Sequence, residues 1–421
     1  MPPETSLPVS SDDLSGAPPP ETSLPASSDD LSGAPPPETR LSVAQLVRLP
    51  CPLVVDPALR ALIEPGVKNS DKYVKVIKEY YKKIDDLNAT LPRKDRFFNV
   101  TIQPRCPEPA PFFTYYRLYA LDDSSPTLLR SKRFTEDSRD YPLCTMLQMF
   151  SVRYVGDFLG DQSMSVYGFI AIRDELDCLR NYVFNCSREQ AHTITPDSRT
   201  LPLISPVRGN SILDGVLLEY SLMVKSNDSD NAEGDYELVD GCIEYTDEMI
   251  LRGHTLKSRL FGKLGPVDFR YAFFTEGIEA TVDIEISGAS PGWGLKAVTA
   301  FTSGLPDAIV LYDGSIPSLA QSGSHISSVV AVRLGYALEL KFEITSEDTV
   351  GKPGRVRRFL RHKAQTRSQS PDVLMDGELG PKTYPRFLSF ISRRCSCDSG
   401  EVLIDDKFKA EVTVTWSTMG P

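Results

Sequence analysis

Downstream of about residue 145, apolar and polar side chains alternate along the chain with a period of two, the pattern of a half-buried β-strand. The clearest stretch runs from Glu279 to Ile286, where even-numbered residues are apolar and odd-numbered residues are polar. We therefore predict that the apolar set faces a core and that Glu279 and Thr281 face water. The same alternation, or a short apolar run, recurs at residues 149–155, 164–172, 216–224, 269–274, 308–314, 336–344 and 408–416.

These strand patterns follow one another with almost no helical segments between them, and this decides the predicted fold class. Clusters of Gly, Asp, Asn and Ser separate the strands, as turns do. A doubly wound sheet would need helices in alternation with its strands. We predict a mainly β protein, in which residues 145–417 form an antiparallel β-sandwich domain.

One stretch upstream has a helical period instead. Its apolar positions are Tyr73, Ile77, Tyr80, Ile84 and Leu87. This spacing predicts an N-terminal amphipathic helix over residues 70–88, within a linker of residues 46–144. The lysines of this stretch mostly lie off the apolar stripe, which is typical of a solvated helix face.

Residues 1–45 form a repeat rich in Pro, Ser and Asp, in which Pro-Pro-Glu-Thr recurs at Pro2, Pro19 and Pro36. A repeat with so few apolar residues cannot bury enough surface to offset the entropy of ordering the chain. We therefore predict a disordered N-terminal tail. Two interpretations of its role stay open, an inert repeat expansion and a Pro-rich docking tail.

The charge of the chain argues against a broad nucleic-acid surface, because its 421 residues carry a formal net charge of -11. One segment is an exception, a predicted loop insertion at about 347–385. Its basic residues are Lys352, Arg355, Arg357, Arg358, Arg361, Lys363 and Arg367. Three interpretations stay open for this loop: RNA binding, a nuclear import signal and a solvated segment without function.

The first residues show neither a signal peptide nor a transit peptide, so we expect a cytoplasmic or nuclear protein. The longest apolar run, Val166 to Ile172, is far shorter than the ~18 residues of a membrane span, and we expect no membrane association. In a reducing compartment the eight cysteines are expected to be free thiols.

Candidate chemistry is sparse along the chain. The phosphate-binding patterns GxGxxG and GxxxxGK[ST] are absent from the sequence. The letters GxSxG occur once, from Gly288 to Gly292, but this string follows the predicted strand 279–286 as a turn between strands, so it does not predict the strand-to-helix elbow of a nucleophile. Cys395 and Cys397 supply two thiols without a second pair at metal-ligand spacing. The histidines are His192, His254, His325 and His362. Since none is placed beside a recognisable nucleophile motif, we expect no catalytic residues, no cofactor and no metal.

One string, from Leu147 to Asn185, contains the pattern Tyr-Gly-x-x-Ala-x-Arg-Asp. The matching positions are Tyr167, Gly168, Ala171, Arg173 and Asp174, followed by Asn181 and Tyr182, and later by Pro206, Arg208 and Gly209. This string resembles a large plant family of unknown function, expanded in grasses, whose members also occur fused behind the ribosome-inactivating domain of jasmonate-induced proteins. The resemblance covers about residues 145–417.

Two residues of this pattern, Arg173 and Asp174, come at the end of an apolar strand. They are open to two interpretations: an Arg–carboxylate fork that ties the strand to a loop, or a pair that faces a ligand. Ribosome-inactivating enzymes carry a helical Glu-Ala-x-Arg-Phe motif at their active site. Here Glu279 and Ala280 are followed by Thr and Val in an alternating strand, so this motif is missing.

The sequence thus favours a non-enzymatic binding or adaptor module with an unknown protein partner. The resemblance places it in plant stress or defence responses. The alternative is an rRNA N-glycosidase of the ribosome-inactivating type, or a partner of such an enzyme.

Overall fold

The computed structural model of the chain describes residues 70–103, 105, 119, 121, 123–131, 143–158, 163–213, 215–226, 234–246, 254–314, 323–346 and 382–419. All of these lie in the unit Leu49–Pro421, and the unit Met1–Arg48 lies outside them. The predicted tail of residues 1–45 and the basic residues Lys352 to Arg367 also lie outside the described residues.

The described residues form one α-helix and a long series of strands, as predicted. In chain order the elements are α1 (Ser70–Thr90), β1 (Thr101–Gln103), β2 (Cys144–Tyr154), β3 (Met164–Asp174), β4 (Asn181–Cys186), β5 (His192–Ile194), β6 (Asn210–Ile212), β7 (Gly215–Val224), β8 (Tyr236–Thr246), β9 (Leu256–Gly262), β10 (Gly265–Ala289), β11 (Trp293–Thr302), β12 (Ile309–Tyr312), β13 (Ser324–Arg333), β14 (Ala337–Ser346), β15 (Lys382–Ile391), β16 (Ser396–Ile404) and β17 (Phe408–Ser417). Because β15 begins at Lys382, residues 382–385 of the predicted insertion belong to a strand.

The strands form three antiparallel sheets, which confirms the predicted sandwich-like architecture. The first sheet has the order β1-β8-β7-β3-β4, and β5 also pairs with β3. The second has the order β16-β17-β10-β2-β6, and both β9 and β13 pair with β10. The third has the order β12-β11-β14-β15.

Strand β10 is 25 residues long, and its two parts pair with different strands of the second sheet. Its first part pairs with β2 and β9, and its second part pairs with β13 and β17. The sequence predicts two separate strands here, 269–274 and 279–286, whereas the structure joins them through an irregularity between Phe274 and Gly277. Gly277 has no room for a side chain, since a Cβ there would lie 2.4 Å from Met146 Cγ. The Met146 side chain therefore occupies the space above Gly277, and the pairing of β10 with β2 continues to Cys144.

Two hydrophobic cores flank this shared strand. The first lies between the first sheet and the strands β2, β9 and the first part of β10, with Tyr220 and Phe269 among its members. The second lies between the third sheet and the strands β13, β16, β17 and the second part of β10, with Phe342 and Trp416 among its members. The first core with the two layers of strands around it is called the first sandwich, and the second core with its two layers is called the second sandwich.

Helix α1 closes one side of the first core through Tyr80 and Ile84, both buried. The described lysine side chains of this helix, at positions 75, 78, 82 and 83, are exposed. Both observations confirm the amphipathic pattern read from the sequence. In the described part of the chain, no helix is both long enough and apolar enough to cross a membrane.

The prediction that Glu279 and Thr281 face water is wrong, because both side chains are fully buried. The outer face of β10 is covered here by another part of the chain, since Glu279 Oε2 accepts a hydrogen bond of 2.6 Å from the backbone N–H of Gly209. Alternation identified the core face correctly, but it carries no information about a second covering layer.

Candidate functional site

The first residues of the Tyr-Gly-x-x-Ala-x-Arg-Asp pattern tie strands together. Tyr167 Oη donates to Asp235 Oδ2 over 2.7 Å, and burial together with this contact raises the pKa of Tyr167 to about 12. Gly168 has a φ of 113°, and a Cβ there would lie 2.1 Å from the carbonyl oxygen of Ser221 in β7. Ala171 is buried beside a bulge between β3 and β4. These three positions serve packing within the first sheet.

Arg173 lies entirely within the first sandwich. Its Nε donates to Glu219 Oε2 over 2.9 Å, and its Nη atoms donate to backbone carbonyls, among them that of Asp123 at 2.6 Å. Arg180 binds the same carboxylate through two hydrogen bonds, of 2.9 and 2.6 Å. Burial raises the pKa of Glu219, but its hydrogen bonds and ion pairs with Arg180 and Arg173 outweigh burial and hold that pKa below its ordinary value.

Asp174 is also buried, but its partner is a different arginine. Arg208 Nη1 donates to Oδ2 over 2.6 Å and Nη2 donates to Oδ1 over 2.8 Å, which makes a two-pronged fork. The backbone N–H groups of Ser211 and Leu176 donate to the same carboxylate at 2.9 and 3.1 Å. Asp174 thus forms a fork with Arg208, Arg173 forms an ion pair with Glu219 and binds backbone carbonyls, and neither side chain faces solvent.

Asn181 and Tyr182, which follow in the pattern, differ in role. Asn181 is buried, and its Nδ2 donates to the carbonyl of Arg208 and to Asn210 Oδ1, both at 2.8 Å. Its Oδ1 accepts from the N–H of Val207 at 3.1 Å. Tyr182 lies nearer the surface, where its hydroxyl donates to the carbonyl of Ser124 over 3.1 Å.

Asn181 and Glu279 therefore bind the backbone of residues 205–210, which we call the SPVRGN segment, and Asp174 binds the Arg208 side chain of the same segment. This segment reaches the second sandwich, because Ser205 Oγ accepts a hydrogen bond of 2.7 Å from the N–H of Val329 in β13. Gln148 of β2 makes a similar contact: its Oε1 accepts from the N–H of Ala331 at 2.9 Å. Both side chains satisfy amides at the edge of β13 that pairs with no described strand.

A cleft of about 320 Å³ lies where the SPVRGN segment and the second sandwich meet. The first sandwich contributes residues of β2, Val183, His192 and much of the stretch from Ser198 to Asn210. The second sandwich contributes Val329 and Ala331, together with the edge strand β12 and the following Asp313. Distant parts of the chain thus converge on one site.

The cleft is mostly apolar and opens to solvent through apolar side chains. Ile204 on one side is 47% exposed and Val310 on the other is 57% exposed. Among the described lining residues, Asp313 is the one with a formal charge at neutral pH. Burial lowers the pKa of His192 below its ordinary value, although the nearby charge of Asp313 opposes this shift. His192 is therefore mainly neutral at pH 7.

The remaining candidates do not assemble into a site. The thiols of Cys395 and Cys397 lie 3.7 and 3.9 Å from the hydroxyls of Thr418 and Thr415. Within the described ranges, no group of three His, Cys, Asp or Glu side chains is placed to hold a metal ion. The six described cysteines are all free. The basic residues Lys352 to Arg367 lie outside the described residues, so RNA binding and nuclear import stay predictions.

Sequence reasoning missed Glu219 and the cleft itself. Glu219 lies on the face of β7 that the alternation predicts to be polar. Leu217 lies on that same face and is buried, so both faces of this strand are covered. The run Val216-Leu217-Leu218 places apolar side chains on both faces of the strand, and this was the sequence signal for a strand that is covered on both sides. The cleft had no such signal, because its two sides are about 100 positions apart in the sequence.

Comparison with known proteins identifies one domain family. A family model described as a domain of unknown function (DUF6598) matches residues 146–378, within the predicted region 145–417. Plant origin, grass expansion and the fusion to ribosome-inactivating domains stay predictions. A comparison with curated protein sequences gives no significant match.

Solved structures give only distant likenesses. Human GIVD cytosolic phospholipase A2 is 12% identical, with a TM-score of 0.20 over 65% of this chain and 33% of the phospholipase chain. The chain therefore spans about a third of that protein's length. The two tandem C2 domains of Extended-Synaptotagmin 2 are 9% identical, with a TM-score of 0.20 over 70% of this chain and 98% of theirs. At this TM-score neither likeness bears on the fold or the activity of the chain.

Proposed function

We propose that this chain, which belongs to the DUF6598 family of domains of unknown function, is a non-enzymatic binding module whose small apolar ligand enters the cleft between the two sandwiches. The observation that carries the proposal is the convergence of apolar side chains from both sandwiches on one open cleft. Apolar clefts lined by a few polar groups are the usual form of small-molecule sites.

The chemistry of the buried charges supports binding rather than catalysis. Arg173 pairs with Glu219 and Arg208 pairs with Asp174, and these buried ion pairs hold parts of the fold together. Glu279, which precedes Ala280 as the Glu of the N-glycosidase motif precedes its Ala, lies buried in strand β10, where it accepts from the N–H of Gly209. The cleft, by contrast, offers mainly shape and apolar surface.

The experiment uses the neutral dye Nile red, whose fluorescence rises in apolar surroundings. The full chain is expected to bind one dye molecule, and Val310→Asn is expected to weaken this binding about fivefold, because it removes roughly 1 kcal/mol of apolar contact. Phe387→Asn is the matched control: Phe387 is 52% exposed, close to the 57% of Val310, and it lies on β15 outside the cleft lining. Equal dye binding by all three proteins contradicts the proposal.

The alternative function has a direct test of its own. Purified ribosomes incubated with the full chain are expected to release no adenine above the background of buffer alone, measured by liquid chromatography. Adenine release that is abolished by Glu279→Gln would overturn the proposal in favour of an rRNA N-glycosidase. The wider role in plant stress or defence and the protein partner are part of the proposal, and they rest on the sequence resemblance.

A further inference from the structure

We propose that the cleft selects amphiphiles that combine an apolar body with a single cationic group, so that the body lies between the two sandwiches and the cation lies beside Asp313. This inference rests on the proposed binding function and adds the chemical class of the ligand. It is carried by the distribution of apolar surface and charge around the cleft.

The apolar body has partners on both sides of the cleft. Leu203 and Ile204 lie on the first-sandwich side, and Val310 and Leu311 lie on the second-sandwich side. Each side chain can cover apolar ligand surface that would otherwise contact water, at roughly 25 cal/mol for each Å² removed. The volume of about 320 Å³ is at the low end of the ~300–1,000 Å³ usual for small-molecule sites, which favours a short apolar chain.

The preference for a cation follows from charge complementarity. Asp313 directly follows strand β12 and is the lining residue that carries a formal charge at neutral pH. His192, also in the lining, is close enough for the two side chains to interact electrostatically. With a neutral imidazole, the lining carries one formal charge, which is negative, and such a charge favours a cation over an anion.

The polar groups that join the sandwiches do not compete for this role. Gln148 Oε1 and Ser205 Oγ already accept hydrogen bonds from the amides of Ala331 and Val329. Asn210 Oδ1 accepts from Asn181. These acceptors therefore fix the shape of the cleft, whereas Asp313 supplies the formal charge of its lining.

The test compares three probes with the same ten-carbon chain and different head groups: decyltrimethylammonium, 1-decanol and decyl sulfate. Each displaces Nile red from the full chain at concentrations well below micelle formation, and far-UV circular dichroism confirms that the protein stays folded. We expect decyltrimethylammonium to bind about threefold to fivefold more tightly than 1-decanol, the range expected for a pair with an exposed charge. Decyl sulfate is expected to bind more weakly than 1-decanol.

Two substitutions of exposed aspartates test whether Asp313 causes the preference for the cationic probe. Asp313→Asn is expected to make the three probes bind within about 1.5-fold of each other. Asp406→Asn removes the same charge from the exposed turn between β16 and β17, and it is expected to leave the order of affinities unchanged. Both positions lie at the surface, so neither variant is expected to disturb folding.

The outcomes separate the two proposals. If Nile red binding depends on Val310 but the probes show no preference, or if decyl sulfate binds best, the inferred ligand class is wrong and the proposed function stands. If the preference survives in Asp313→Asn, the assignment to this carboxylate is wrong. If the dye binds regardless of Val310, both proposals are overturned.

Discussion

The buried pair between Asp174 and Arg208 offers the most direct test of how the first sandwich is held to the SPVRGN segment. Both side chains are shielded from solvent, with side-chain exposures of 1% and 0%, and two hydrogen bonds of 2.6 and 2.8 Å join them. The substitution Asp174→Asn removes the negative charge and keeps the size of the side chain. It leaves a buried guanidinium without its main counter-charge.

The expected cost is about 3–5 kcal/mol, the range found when one partner of a buried ion pair is removed. Against a total stability of about 5–15 kcal/mol, such a loss is large. Equilibrium unfolding in urea, followed by circular dichroism, measures it as a lower midpoint. The same substitution is expected to weaken Nile red binding, because Asp174 also holds the N–H of Ser211 next to the segment.

A double-mutant cycle separates the charge from the shape of the site. Arg208→Met alone is expected to cost a similar amount, since it leaves a buried carboxylate unpaired. The double variant Asp174→Asn with Arg208→Met is expected to recover at least about 2 kcal/mol relative to the sum of the two single variants. Additive losses would refute the reasoning, because they would mean that the two charges do not depend on each other.

The control is a fork with the same two bond lengths in a more accessible place. Arg259 and Asp268 form two hydrogen bonds of 2.6 and 2.8 Å, but their side chains are 20% and 15% exposed. Water can partly replace either partner there, so Asp268→Asn is expected to cost no more than about 1 kcal/mol. An equal loss of unfolding free energy in Asp174→Asn and Asp268→Asn would show that burial does not determine how much each ion pair stabilises the fold.

Three further predictions concern single residues. Because ion pairs hold the pKa of Glu219 below its ordinary value, its stabilisation is present above about pH 4.3 and is lost as pH falls through the folded pKa. The gap in melting temperature between wild type and Glu219→Gln is therefore expected to narrow below pH 4, and a constant gap would contradict this. Gly168→Ala is expected to cost about 3 kcal/mol in urea unfolding, since its Cβ would collide with the Ser221 carbonyl. Gly335→Ala, at a φ of 79° with open space around it, is expected to cost about 1 kcal/mol, and equal costs would mean that the collision is relieved. His192 has a lowered pKa and becomes positively charged only at acidic pH. Because that charge repels a cation, decyltrimethylammonium binding is expected to weaken as the pH falls from 7.5 to 5. In His192→Gln the affinity should not change with pH, and the same decline in both proteins would assign it to another group.

Those parts of the fold that depend on one apolar face were predictable from the sequence. Alternation located the strands that carry Val282 and Phe342, and the helical period located α1, because each pattern records a single boundary between core and water. The junction within β10 was not predictable in this way. At Glu276 the backbone has a φ of 55°, and the alternation of apolar and polar residues is interrupted there. The pairing of β10 with β2 nevertheless resumes at Gly277.

The polar residues were harder to interpret, because a buried ion pair and a solvated charge look alike in a single sequence. Glu219 and Glu279 both occupy polar positions of alternating strands, and both are buried beside partners from distant segments. Arg173 and Asp174 are neighbours in the chain, but each pairs with a residue more than 30 positions away. Only the tertiary fold reveals which charges are compensated.

The pattern residues and the cleft belong to one physical arrangement: Pro206 and Gly209 line the cleft, whereas the pattern residues from Tyr167 to Tyr182 do not. Asp174 and Asn181 bind the SPVRGN segment from within the first sandwich, and Glu279 binds it from β10. The segment in turn presents Ser205 and Asn210 to the cleft. Because a backbone held by so many buried contacts does not need to be ordered when a ligand arrives, the cleft is preorganised. The pattern therefore contributes to binding through the position of this segment, and substitutions within it are expected to lower affinity for cations and neutral probes alike, whereas Asp313→Asn changes only the preference between them.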